Sequence, residues 1–168
     1  MGRCISLSLL SFIAALALGA GTARAQESGA AEKGVFGVGL IFGEPTGVSA
    51  KYYLGNDTAL DLAIGAAFIG RGIQAHGDFL WHPWILDREE SFVLPVYLGV
   101  GVRVLDHDAG GSDDDHVRIG ARVPVGILFD FTRIPIDVFA EIAGVADYRT
   151  NGTFGLGING GAGARYYF

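Results

Sequence analysis

Ten ionisable side chains, Lys51, Asp61, His76, Asp78, Arg103, Arg118, Arg122, Asp137, Glu141 and Arg165, fall on one phase of alternating apolar runs. Their signs are mixed. Charges taken out of water have to pair or stay hydrated, so if these runs are strands of one sheet, the expected arrangement is a ladder of arginine–carboxylate bridges. Glu141 is expected to pair with one or more of Arg103, Arg122 and Arg165. His76 and Asp78 lie two residues apart and share a face, as a His–carboxylate pair for base catalysis requires. No serine on that phase of their strand accompanies them, so an interior histidine is the reading adopted and no catalytic residue is assigned.

A second candidate is the run Asp106-His107-Asp108-Ala109-Gly110-Gly111-Ser112-Asp113-Asp114-Asp115-His116. Its carboxylates Asp106, Asp108, Asp113, Asp114 and Asp115, with two histidines, make calcium worth testing. The EF-hand pattern fails, because Gly110 occupies the fifth position and Val117 the twelfth, where acidic ligands belong. A solvated surface loop is therefore expected, holding at most adventitious or ligand-bridging cations. No metal and no cofactor is assigned. Asn56-Asp57-Thr58 and Asn151-Gly152-Thr153 match the glycosylation triplet but read as turns.

The elements that must carry these residues are strands. No 3.6-residue period persists with caps, whereas a period of two recurs between turn residues. Eight segments follow, at 35–43, 48–54, 59–69, 74–82, 92–105, 117–129, 136–146 and 153–168. Residues 83–91 interrupt the pattern after the fourth, and Asn151-Gly152 is a strong hairpin signal before the eighth. On the sixth, Ile119, Ala121, Val123, Val125 and Ile127 oppose Arg118, Gly120, Arg122 and Gly126.

The contents of the two faces decide the architecture. A soluble sandwich or lipocalin-type barrel would present a polar outer face. Here the continuous face is Val, Ile, Leu, Phe, Trp and Tyr, and the other is mostly Gly and Ala with one or two charges per segment. Only a lipid solvent suits the first. An eight-stranded barrel has an interior just wide enough for side chains, which suits the second and accounts for 27 glycines in 168 residues, well above the usual share of about 7%. Strands of about nine to eleven tilted residues span the hydrocarbon layer, and closure leaves no sheet edge facing lipid. The expected fold is thus all-β, an eight-stranded antiparallel up-and-down transmembrane β-barrel. Phe79, Trp81, Trp84 and residues 166–168 suit an interfacial aromatic girdle.

The N-terminal stretch reads as an export signal: Arg3, an apolar run over 7–18, and Ala23-Arg24-Ala25 as the cleavage pattern. The expected organisation is a signal peptide over 1–25, a flexible lead-in over 26–34 and the barrel over 35–168. A membrane anchor is the competing reading, diluted by Ser6, Ser8, Ser11, Gly19 and Gly21. Cys4 lies within the leader, so disulfides and thiol chemistry are not expected in the mature chain. With 12 basic against 18 acidic side chains, there is no basic excess to attract nucleic acid.

The ending Gly163-Ala164-Arg165-Tyr166-Tyr167-Phe168 resembles the terminal strand of bacterial outer-membrane proteins, whose final aromatic and alternate apolar positions are recognised by the barrel-assembly machinery. Tyr166 and Phe168 match that signal; Ala164 and Ala162 are smaller than it prefers. With Gly43-Glu44-Pro45-Thr46-Gly47 and Arg122-Val123-Pro124-Val125-Gly126, the region 35–168 resembles the small OmpA-like eight-stranded barrels, closest to members of unassigned function. The resemblance implies periplasmic termini and outside loops near 44–47, 70–73, 106–116 and 147–152. It also implies outer-membrane lipid, lipopolysaccharide and the assembly machinery as partners. The expected role is structural or surface-interacting, with 106–116 as the contact surface for an extracellular protein. A small narrow pore and a lipid A-modifying enzyme are the alternatives.

Overall fold

A computed structural model describes residues 33–69, 71–107, 117–149 and 152–168. The proposed leader, the lead-in before Lys33 and most of the acidic loop, Asp108 and Asp113–Asp115 included, lie outside these residues. The elements are β1 (Phe36–Gly43), β2 (Thr46–Tyr53), β3 (Thr58–Ala67), β4 (Gly72–Arg88), β5 (Phe92–His107), β6 (Val117–Phe131), β7 (Ile136–Arg149) and β8 (Phe154–Tyr167). Each pairs antiparallel with its chain neighbour, and β1 pairs with β8, closing one barrel. Closure pairs every strand on both sides within the ring and leaves no open sheet edge.

The turns divide between two mouths. The start of β1, the end of β8 and the turns β2–β3, β4–β5 and β6–β7 share one, here the terminal mouth. The opposite, far mouth carries β1–β2, β3–β4, β5–β6 and β7–β8. Near the terminal mouth Lys33 reaches across to Asp130 at the end of β6 and lies 4.1 Å from the Tyr167 ring centroid. The end of the expected lead-in is thereby pinned across the barrel.

The expected break over 83–91 does not occur. β4 runs on to Arg88, and its ladder with β5 shifts register between Trp81 and Trp84 and again between Ile85 and Asp87. Proline cannot donate to a ladder, so Pro83 sits inside the first shift, where the His82 N–H instead donates to the Asp57 carbonyl at 2.7 Å. Only residues 89–91 turn the chain. At Pro124 on β6 the β5–β6 pairing lapses between the Leu98–Val125 and Gly101–Arg122 pairs, with the register unchanged.

The barrel is inverted relative to a water-soluble protein. Val102 is 62% exposed, as are Leu62, Ile64, Val100, Ile119, Val123, Ile142 and Ile158 to comparable degree, whereas Arg122 is 1% exposed. Trp81, Trp84, Tyr166 and Phe168 face outward toward the terminal mouth, and Phe68, Tyr148 and Phe154 toward the far one. Tyr167, placed by sequence in the girdle, turns inward instead, because alternation puts it on the phase of Arg165.

Candidate functional site in the barrel interior

Period-two alternation delivers the predicted set inward. Lys51, Asp61, His76, Asp78, Arg103, Arg122, Asp137, Glu141 and Arg165 are all buried. Arg118 keeps the same phase but sits at the far mouth, half-buried. The interior charges form three layers.

Toward the terminal mouth Arg165 is the hub. Its guanidinium lies 2.9 Å from Asp61 and 3.7 Å from Asp137, its Nε donates to Ser49 Oγ at 2.9 Å, and it stacks 3.8 Å from the centre of the Phe139 ring. A planar, always-charged group with several donors suits such a shared position better than an ammonium would. Tyr167 donates its hydroxyl to Asp137. Lys51, cross-strand neighbour of Asp61, donates to His82 Nε2 at 2.9 Å, and Tyr53 and Tyr97 flank its ammonium at 4.9 and 5.3 Å. His82 Nδ1 then faces the Asp57 carbonyl at 3.2 Å, so the Nδ1–H tautomer satisfies both neighbours.

In the middle layer Arg122 bridges Asp78 and Glu141. Of the three arginines offered for Glu141, it is the one that pairs. Glu141 also accepts the Tyr97 hydroxyl at 3.0 Å. His76 lies 3.8 Å from Asp78, and neither of its ring nitrogens has a hydrogen-bond partner among the described residues. Ser49, the hydroxyl that could serve such a pair, belongs to β2, is wholly buried and is engaged by Arg165.

The third layer closes the lumen toward the far mouth. Arg103 grips both oxygens of Asp147, through Nε at 2.9 Å and Nη2, and donates through Nη1 to Gln74 at 3.1 Å and Asn159 at 3.0 Å. Asn159 donates to Gln74 at 3.2 Å. Glu44 folds in from the β1–β2 turn, its carboxylate accepting the Ile69 N–H and its carbonyl the Gln74 amide at 3.4 Å.

Ser49, Gln74, Tyr97, Asp147 and Asn159, to which the sequence reading gives no role, complete these layers together with Tyr167, which it places in the girdle. Parity carried the signal for all except Asp147, which lies one residue past the expected end of its segment. Of the expected assembly and loop residues, Tyr166 and Phe168 face outward and Asp106 is exposed near the end of β5. Among the described residues no three His, Cys, Asp or Glu side chains converge as metal ligands.

Chemically, the described strands bring inward four cations, Lys51, Arg103, Arg122 and Arg165, against the carboxylates of Asp61, Asp78, Asp137, Glu141 and Asp147, and each of these charges except Lys51 is held in an ion pair between strands. Such an array ties the strands together and places paired side chains within the lumen. Comparison with protein-family models, curated proteins and solved structures returned no match.

Proposed function

We propose that this chain is an integral outer-membrane β-barrel of the bacterial envelope, exported by the 1–25 leader, with a structural or surface-interacting role and no catalytic one. The observation that carries the reading is the contrast between an apolar exposed belt and a charged, paired interior. Leaving so many large aliphatic side chains in water would forgo roughly 25 cal/mol for each Å² of apolar surface, whereas lipid makes the same surface favourable. The strands support it, since β4 to β8 each exceed the length needed to span a tilted path. Aromatic side chains at both ends of the belt suit the two interfaces.

On this reading the surrounding lipid and lipopolysaccharide are the barrel's solvent. Tyr166 and Phe168 are its contact with the assembly machinery, and the 106–116 region is the surface offered to an extracellular protein. The filled lumen favours a structural role over a pore, and the occupied Ser49 gives no support to lipid A modification. The test is heat-modifiability: the protein should fractionate with outer membranes and migrate differently on gels before and after boiling. A protein released in soluble form without a mobility shift would overturn the proposal. Conductance in planar bilayers, or altered lipid A on expression, would replace the structural role by a pore or an enzyme.

A further inference from the structure

At the far mouth two arginines oppose each other. Arg118, near the start of β6, and Arg149, the last residue of β7, are direct partners across the β6–β7 ladder. Residues so paired hold their Cβ atoms about 4.5–5.5 Å apart, and like charges in that position repel. Within the described structure the repulsion is offset only in part, by the charge of Asp147. Asp147, the carboxylate two residues before Arg149, has both oxygens committed to Arg103. Among the described residues, no carboxylate lies within ion-pair distance of Arg118 or Arg149. Asp106 stands on the outward phase of β5.

The wall beside the pair leaves room. Gly155 on β8 is the cross-strand partner of Asp147 and Gly157 that of Val145, and a side chain begun at either glycine would meet nothing within 4 Å among the described residues. The space is floored by the Arg103–Asp147–Asn159 layer and rimmed by Arg118, half-buried, and Arg149, exposed. Two guanidinium forks at the edge of an unfilled hollow, with no acid of their own among the described residues, match a tetrahedral oxyanion, whose oxygens accept paired N–H donors from both.

We propose that Arg118 and Arg149 form a phosphate-class anion site at the far mouth of the barrel. The phosphate group could be carried by a lipid headgroup or be free in solution, and the recognition chemistry is the same for both. The inference rests on the closed barrel and not on the lipid-facing reading of its outer surface.

The test uses the full folded chain in a zwitterionic detergent, with inorganic phosphate titrated at constant ionic strength against chloride. Thermal unfolding and calorimetric binding are read together. Phosphate should bind saturably and raise Tm above the chloride value. Arg118→Gln and Arg149→Gln should each weaken binding about tenfold or more, as loss of a charge-assisted contact implies, and the double variant should lose the phosphate-specific Tm shift. Because these substitutions remove a repulsion, the variants should fold and their Tm in chloride should hold or rise. Absence of saturable binding by the wild type, or an equal phosphate effect in the double variant, would overturn the site. Lipopolysaccharide that displaces phosphate, where its dephosphorylated form does not, identifies the headgroup as a ligand; phosphate binding without that displacement identifies the free anion. Both arms read the site whether or not heat-modifiability supports the membrane proposal.

Discussion

Tyr97 stands directly across the β5–β6 ladder from Gly126, and its ring fills the space that a Cβ on Gly126 would occupy. The same relation recurs between Tyr167 and Gly37 and between Phe139 and Gly163. In each, an inward aromatic lies over a glycine of the neighbouring strand, as large side chains must in a barrel too narrow to hold them upright. Much of the glycine excess is thereby a packing requirement.

Gly126→Ala should therefore push the Tyr97 ring away and loosen its hydroxyl from Glu141, costing about 1–3 kcal/mol as overpacking does. Gly155→Ala, where nothing described lies within 4 Å, should change stability by no more than about 0.5 kcal/mol. Urea unfolding of the two variants in the same detergent, followed by tryptophan fluorescence, checks the ordering. Equal losses would contradict it.

Arg122 is the only described cation bridging Asp78 and Glu141. Arg122→Met should strand two buried carboxylates and cost about 3–5 kcal/mol. Adding Asp78→Asn and Glu141→Gln removes the stranded charges, so the triple variant should recover most of that loss. Unfolding midpoints of the parent, single and triple variants measure this coupling. A triple variant no more stable than Arg122→Met would mean that the cost lies in lost packing and not in uncompensated charge.

Arg165 tests the value of a fork against a point charge. It reaches Asp61, Asp137 and Ser49 while stacking on Phe139, and an ammonium cannot keep all four relations. Arg165→Lys should lower stability by about 1–3 kcal/mol although net charge is unchanged. The loss, read from urea unfolding midpoints, should shrink when Phe139→Leu is already present, because the stacking contribution is then gone from both sides of the comparison.

How far this site could be read before folding depended on which relation was asked for. Parity alone placed Lys51, Asp61, Asp78, Arg122, Glu141 and Arg165 on one face, since successive strand residues alternate sides. Partners were a different matter. The Arg122–Glu141 pair depends on the β6–β7 register, and the Arg165–Asp61 pair joins β8 to β3 across the lumen. Neither is encoded in local spacing. Pro83 misled the reading of β4 because a proline signals a break unless a register shift absorbs it. Asp147 lies beyond the legible alternation, which fades before β7 ends at Arg149.

The outer surface gives the sharpest discrimination between lipid and water as its solvent. Val102 lies outward near the middle of β5, with Gly77 and Ala121 as its cross-strand partners and 62% of its surface exposed. Were that surface in water, Val102→Lys would be near neutral for folding, since exposed positions away from special features tolerate substitution, and it would improve solubility. Against lipid near the mid-belt the same substitution should cost about 2–4 kcal/mol. The expected result is a lower unfolding midpoint in lipid vesicles and less folded protein in the outer-membrane fraction, with the penalty falling toward zero for Ile73→Lys, near the far mouth. A Val102→Lys variant as stable in vesicles as the parent, or a penalty independent of position along the strand, would contradict a belt that faces hydrocarbon.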